Sequence, residues 1–407
     1  MHDAHDGAGG SLRPADRSDP GTPTHHDAAG FQPALSSNGR GDLWTRDTWL
    51  AGDIHAAGRA QHDSQSLSGG GQRQSGRGDS NGRPFGTDSR SLSDAGPNFA
   101  INIPDNGYAW WYVDGISHDG QHGITLIAFV GSVFSPYYKS ARRKGPTNPE
   151  DHVALNVALY SRGAARWAMT ERSHAALSRT RDTFEIGRSL MRFDGDHFII
   201  DIDEKAFPFI APVRGCVRIS PSLMPARSFA LDDAGRHVWQ PIAPMGTIEV
   251  TMQSPALSWR GHAYMDHNRG LEPIENGFAA WEWSRSQGQD RSLILFDTQP
   301  RLGTSRHLSL SFFEDGRIEP FVAPARKAMP RAFWGMSRHT RSENGPRLLR
   351  TLEDAPFYTR NMIASKLDGE DLMGVHESLS LDRFNSPLVQ KMLPFRMPRV
   401  GASRGFF

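Results

Sequence analysis

Residues 106–138 read NGYAWWYVDGISHDGQHGITLIAFVGSVFSPYY. An aromatic run from Tyr108 to Ile116 leads into His118–Gly123, rich in Asp and Gly, and then into an apolar run from Ile124 to Phe134. The reading is strand, turn, strand: β-branched and aromatic residues pack well on a pleated surface, and Asp and Gly supply the turn. The second run is about half the roughly 20 residues that a spanning helix requires. No transmembrane segment is expected.

Downstream the same rhythm recurs in HVALNVALY (152–160), ARWAMTER (165–172), TFEIGRSLMRF (183–193), HFIIDIDEKAF (197–207) and GCVRISPSL (215–223). After residue 270 it restarts with GFAAWEWSRSQ (277–287) and RSLILFDTQPR (291–301) and runs on to LMGVHESLSLDRF (372–384). The exceptions are short, such as the helix read at PLVQKMLPF (387–395). Strands at this spacing predict an all-β chain of up-and-down antiparallel barrel or sandwich type. Their restart predicts two related barrels in tandem. The expected boundary is Pro241–Gly246, where PIAPMG breaks the rhythm, giving one barrel over 96–244 and a second over 245–400. Residues 1–95 are dense in Gly, Ser, Asp, Arg and His, and their aromatics are Phe31, Trp44, Trp49 and Phe85. That composition predicts a disordered tail with too little apolar surface to fold alone.

Between the halves lies RHVWQPIAPMGTIEVTMQSPALSWRGHAYMDHNRG (236–270). Side chains two apart on a strand share a face, so His237 pairs with Trp239, and His262, Tyr264 and Asp266 line up. Val238, Ala263 and Met265 then point the other way. A carboxyl among aromatic rings stays protonated because desolvation disfavours its anion, which makes Asp266 a candidate general acid. Asp266 also fits a plainer role as a turn former in DHNRG.

The 407 residues carry 46 Lys and Arg against 45 Asp and Glu, a formal charge of +1, so no bulk field argues for nucleic acid. Cys216 is the one cysteine, which excludes an internal disulfide, and it reads as a buried apolar filler. The amino terminus lacks the basic start and apolar core of a secretory signal, so export by that route is not expected.

At WWYVDG (110–115) and IAFVGSVFSPYY (127–138), with the His-x-Trp pair at 237 and 239 and the Tyr-x-Asp pair at 264 and 266, the sequence resembles the carotenoid 1,2-hydratases, also called hydroxyneurosporene synthases. The likeness covers nearly all of residues 97–400 and leaves 1–95 outside. It implies a tandem lipocalin-like fold. It also implies addition of water across the terminal 1,2 double bond of acyclic carotenoids such as neurosporene and lycopene, without cofactor or metal, in the spheroidene or spirilloxanthin branches of pigment synthesis. Asp266 is then the proton donor, supported by His237, Trp239 and Tyr264. Protonation at C2 leaves a tertiary cation at C1, which the rings of Trp239 and Tyr264 stabilise and which a water held by His237 attacks.

Rival readings are a non-catalytic lipid or carotenoid carrier and a cofactor-free isomerase or cyclase of the same fold. A metal site at His237, His262, Asp266 and His267 is disfavoured, because His267 projects opposite to Asp266 and no compact ligand motif is present. Arg326, Lys327, Arg331, Arg338, Arg341, Arg347 and Arg350, with Phe333 and Trp334 among them, form a basic region that reads either as a solvated face or as a surface holding the protein against anionic lipid headgroups; peripheral membrane association on the cytoplasmic side is the expectation.

Overall fold

A computed structural model describes residues 96–400; the tail expected over 1–95 lies outside the described residues. The first sheet comprises β1 (Tyr108–Ser117), β2 (Gly123–Val130), β3 (Val153–Leu159), β4 (Arg166–Arg172), β5 (Leu177–Arg179), β6 (Thr183–Ile186), β7 (Ser189–Phe193), β8 (Phe198–Ala206), β9 (Ala211–Leu223), β10 (Phe229–Ala230), β11 (His237–Ser254) and β12 (Ala256–Gly270). Its order is β4-β3-β2-β1-β12-β11-β9-β8-β7-β6-β5, with β10 beside β11. Edge strand β4 packs back onto β8, curling the sheet into a nearly closed barrel.

The second sheet is built from β13 (Phe278–Gln287), β14 (Arg291–Pro300), β15 (Arg306–Phe313), β16 (Ile318–Pro320), and, after the separate hairpin β17 (Arg326–Met329) and β18 (Arg338–Arg341), from β19 (Arg347–Asp354), β20 (Tyr358–Leu367) and β21 (Glu370–Ser380). Its order is β16-β15-β14-β13-β21-β20-β19. Among the described residues, four short α-helices accompany the strands: α1 (Pro136–Arg142), α2 (Ile274–Gly277), α3 (Leu381–Phe384) and α4 (Pro387–Arg396). The all-β expectation holds, as does the helix at 387–395. TFEIGRSLMRF folds as two strands, not one, because Gly187 takes φ +63° and turns the chain between β6 and β7.

The expected boundary at Pro241–Gly246 is corrected. That stretch lies inside β11, where register shifts at Pro241/Ala243 and Ala243/Gly246 absorb prolines that have no N–H for the ladder. One sheet gives way to the other between Gly270 and Phe278, across α2.

Alternation along β1 explains where the two cores sit. Ala109, Trp111 and Val113 point into the first barrel with Leu126, Val157 and Met265. Tyr108, Trp110 and Tyr112 point out of it, against Trp281, Trp283 and Phe296 of the second sheet. A second apolar layer therefore fills the space between the halves. Buried charge crosses it: Asp114 on β1 accepts from Arg285 on β13 at 2.6 Å and from Arg360 on β20, and Arg360 also reaches Glu377 on β21.

Cys216 is half-buried on the outward face of β9 across from Asp201, not a core filler, and burial pushes its thiol up to about 11. The basic region is largely consumed by internal contacts. Arg341 holds Asp297 through both Nε and Nη2, Arg326 holds Glu282, and buried Arg338 donates to Pro330 O and Asn361 Oδ1. Among the described residues, no helix is long and apolar enough to cross a membrane.

Candidate active site

Strands β11 and β12 pair antiparallel with Trp239 opposite Asn268 and Pro241 opposite Asp266. Period-two alternation puts Tyr264, Asp266 and Asn268 on one face, and that face looks into the layer between the sheets. Trp239 Nε1 donates to Asp266 Oδ2 at 2.9 Å, and the Tyr264 hydroxyl donates to the same oxygen at 2.6 Å. Asn268 Nδ2 donates to Oδ1 at 3.2 Å. Tyr264 packs on Trp283 with centroids 5.2 Å apart, and Trp239 packs on Phe229 at 5.3 Å.

Asp266 is 4% exposed. Burial pushes its carboxyl up to about 7; the Tyr264 and Trp239 donors pull against that rise, and the charge of Glu377 adds to it. The DHNRG segment continues β12 to Gly270, so Asp266 caps no turn.

His237 is not brought to this carboxyl. It pairs with Gly270, four residues along β12 from Asp266, about 13 Å at the rise of a strand. Its Nδ1 is hydrogen-bonded to the Tyr108 hydroxyl at 2.9 Å, and Nε2 lies 3.4 Å from Glu272 Oε1. Gly277 packs against the ring so closely that a Cβ there would sit 2.2 Å from Nε2. Burial pulls the imidazole pKa down.

The other two histidines also lie apart from the carboxyl. His262 is exposed beside His118. His267 stacks on Trp111 at 4.8 Å on the opposite face of β12, where burial pulls it down to about 3. Among the described residues, no three His, Cys, Asp or Glu side chains are grouped to hold a metal.

A cavity opens between the sheets, lined in part by β1, the strand paired with β12. Its apolar walls include Trp110, Phe129, Trp167, Trp281 and Phe357, and Tyr112, Tyr160, Glu353 and Glu377 also line it. Asp266, Trp239 and Tyr264 are not among the residues that line it; Asp266 lies on β12, one strand over from Tyr112, its partner across the β1–β12 ladder. The Tyr112 hydroxyl donates to Glu377 Oε1 at 2.8 Å, and Arg360 reaches both groups.

Sequence reading missed Asn268, although the alternation that grouped Tyr264 with Asp266 extends to it. Tyr112, Glu353 and Glu377 carried no such signal, because they meet only through the packing of one sheet on the other.

The family model described as "Carotenoid hydratase CrtC" matches residues 126–404. The chain is 47% identical over 379 residues to an acyclic carotenoid 1,2-hydratase of Thiocapsa roseopersicina, covering 92% of this chain and 94% of the relative. It is 41% identical over 406 residues to the acyclic carotenoid 1,2-hydratase of Rubrivivax gelatinosus, covering 98% and 100%. Coverage of that extent reaches into residues 1–95, which the sequence reading had left outside the likeness. Among solved structures, an AttH protein from Nitrosomonas europaea aligns with 73% of this chain and 98% of its own at 12% identity and a TM-score of 0.48. The chain belongs to the carotenoid hydratase family.

Proposed function

We propose that this protein is a hydro-lyase that adds water to the terminal 1,2 double bond of acyclic carotenoids such as neurosporene and lycopene, giving 1-hydroxy carotenoids. The observation that carries the reading is a buried carboxyl, pushed up to about 7 by burial and held by Trp239 and Tyr264, one strand over from Tyr112 of an aromatic cavity. An alkene is a very weak base, so its proton donor must be protonated at working pH and fixed in place. Asp266 suits both conditions: burial pushes its carboxyl up to about 7, which keeps a protonated fraction near neutral pH, and Tyr264, Trp239 and Asn268 fix it in place. It gives its proton to C2, and the rings of Trp239 and Tyr264 stabilise the tertiary cation at C1, an interaction worth about 2 kcal/mol when desolvated. Trp239 Nε1 and the Tyr264 hydroxyl then steady the carboxylate left behind. His237, tied to Tyr108 and Glu272, acts as a positioning residue for the β1, β11 and β12 ladder. The decisive experiment is incubation with lycopene in ¹⁸O-labelled water: a hydratase incorporates the label into product, whereas a carrier, isomerase or cyclase does not.

The substrate dissolves in lipid, and the reading includes peripheral contact with a bilayer. Helix α4 supports it better than the basic region. Leu393 and Arg396 of α4 line the cavity, while Leu388, Lys391 and Phe395 form a separate exposed stripe three to four residues apart. Leu388 is 69% and Phe395 76% exposed. Exposed Arg143 and Lys144 follow α1, which packs on α4, so cations accompany the apolar stripe, as an anionic headgroup layer requires.

A further inference from the structure

Hydration consumes a water, and the reading above leaves that water without a holder, since His237 lies along the sheet from Asp266 and is engaged by Tyr108 and Glu272. The cavity has a polar corner that meets this need. Glu353, near the end of β19, faces the cavity, and its Oε2 accepts from the Tyr160 hydroxyl at 3.1 Å. Thr125 and Asn156 line the same cavity from β2 and β3, against walls that are otherwise mostly aromatic and aliphatic. Glu377, the other carboxylate there, is already bonded by Tyr112 and Arg360.

Arg360 links the corner to the neighbourhood of the acid. Arg360 Cζ is 5.8 Å from the Tyr112 ring and 5.6 Å from the Tyr160 ring, so one guanidinium spans from the cross-strand partner of Asp266 to the partner of Glu353. Burial raises the Glu353 pKa; Arg396 on α4, the Tyr160 hydroxyl and Arg360 on β20 oppose the rise, and Glu377 on β21 adds to it.

We propose that Glu353 and Tyr160 form the water site, with the Glu353 carboxylate as the base that takes the proton of the attacking water. The assignment rests on the hydratase reading. The C1=C2 π pair takes the Asp266 proton at C2, a water lone pair forms the C1–O bond, and the O–H electron pair returns to oxygen as its proton passes to Glu353. The product is the neutral tertiary alcohol. Glu353 then releases a proton to solvent and Asp266 regains one, so water is the only reactant consumed besides the carotenoid.

The test measures ¹⁸O incorporation into lycopene, carotenoid binding by absorbance shift and the pH profile for full-length wild type, Glu353→Gln and Tyr160→Phe. Glu353→Gln keeps size and shape, and it is expected to lower turnover by about 10² or more, as loss of a general base does, with binding unchanged and the low-pH limb gone. Tyr160→Phe removes a donor that favours the carboxylate, so the Glu353 pKa rises and the low-pH limb moves to higher pH. Turnover of Glu353→Gln close to wild type, or equal losses of binding and turnover, overturns the assignment. If Glu353→Gln fails to fold, Tyr160→Phe decides, and an unmoved limb overturns the assignment. A wild type that binds lycopene without incorporating label overturns the hydratase reading and this assignment with it, whereas labelled product that is indifferent to Glu353 overturns this assignment alone.

Discussion

Tyr264 donates a 2.6 Å hydrogen bond to Asp266 Oδ2 from two residues earlier on the same strand, and Trp239 fills the second position on that oxygen from the neighbouring strand. With Oδ2 accepting from two donors and Oδ1 from Asn268 alone, the acidic proton is expected on Oδ1. The first expectation is that Asp266→Asn abolishes hydration, a loss of about 10³-fold or more, while carotenoid binding survives. Asn matches the shape of a protonated Asp but has no acidic proton to give. Chromatography of 1-hydroxy product alongside a binding titration checks it, and substantial turnover in Asp266→Asn would remove Asp266 from the donor role.

The pH profile follows from the same carboxyl. If Asp266 is the donor, only its protonated form is competent, so turnover is expected to fall as pH rises through about 7. Tyr264→Phe deletes a hydrogen bond that favours the anion, which raises the Asp266 pKa and moves this descending limb to higher pH. A limb that stays in place, or moves down, contradicts the assignment.

Asn268 brings Nδ2 to Asp266 Oδ1, while its own amide oxygen is buried without a hydrogen-bond partner. Reversing the amide would let that oxygen accept the Oδ1 proton. Asn268→Ala is expected to cut turnover about tenfold and Asn268→Asp more severely, since a second carboxylate there disfavours the anion of Asp266 after proton transfer. Steady-state kinetics with thermal melts separate this from loss of fold.

These three side chains show how far sequence carries. Alternation along HAYMDHNRG grouped Tyr264 with Asp266, because a strand periodicity is local and survives without tertiary information. His237 satisfied the same rule on its own strand, yet the β11–β12 register sets it four residues away from the acid. Register depends on where bulges fall, and the prolines that cause them here look in sequence like a domain boundary. The cavity was illegible for a further reason: its walls come from β1–β4, β13, β19–β21 and α4, elements distant in the chain that no periodicity connects.

The charge clamp between the sheets carries a stability expectation. Asp114 is fully buried between Arg285 and Arg360, itself fully buried. Removing one member of such a group leaves an uncompensated buried charge, so Asp114→Ala is expected to cost about 3–5 kcal/mol. Urea denaturation measures it; a loss under 1 kcal/mol would mean that water enters the layer freely.

Vesicle binding distinguishes the two surfaces. Leu388→Glu with Phe395→Glu is expected to abolish cosedimentation with anionic vesicles and slow hydration of bilayer-dissolved lycopene, while turnover of detergent-dispersed lycopene stays near wild type. Charge reversal at Arg341 instead breaks its pair with Asp297 and is expected to lower the melting temperature. Undiminished vesicle binding by the double variant would place the contact elsewhere.

The β1–β12 pairing has a consequence for the order of events in folding. Tyr112 and Asp266 sit face to face, yet one lies on the first strand of the first sheet and the other on its last. During synthesis at about 5–20 residues per second, β1 waits about 8 to 30 seconds before its β12 partner exists. Pairings of such high contact order form late and slowly. The carboxyl, its hydrogen-bond donors and the cavity wall are therefore expected to be completed near the end of assembly, and partly folded chains are expected to lack the proposed site.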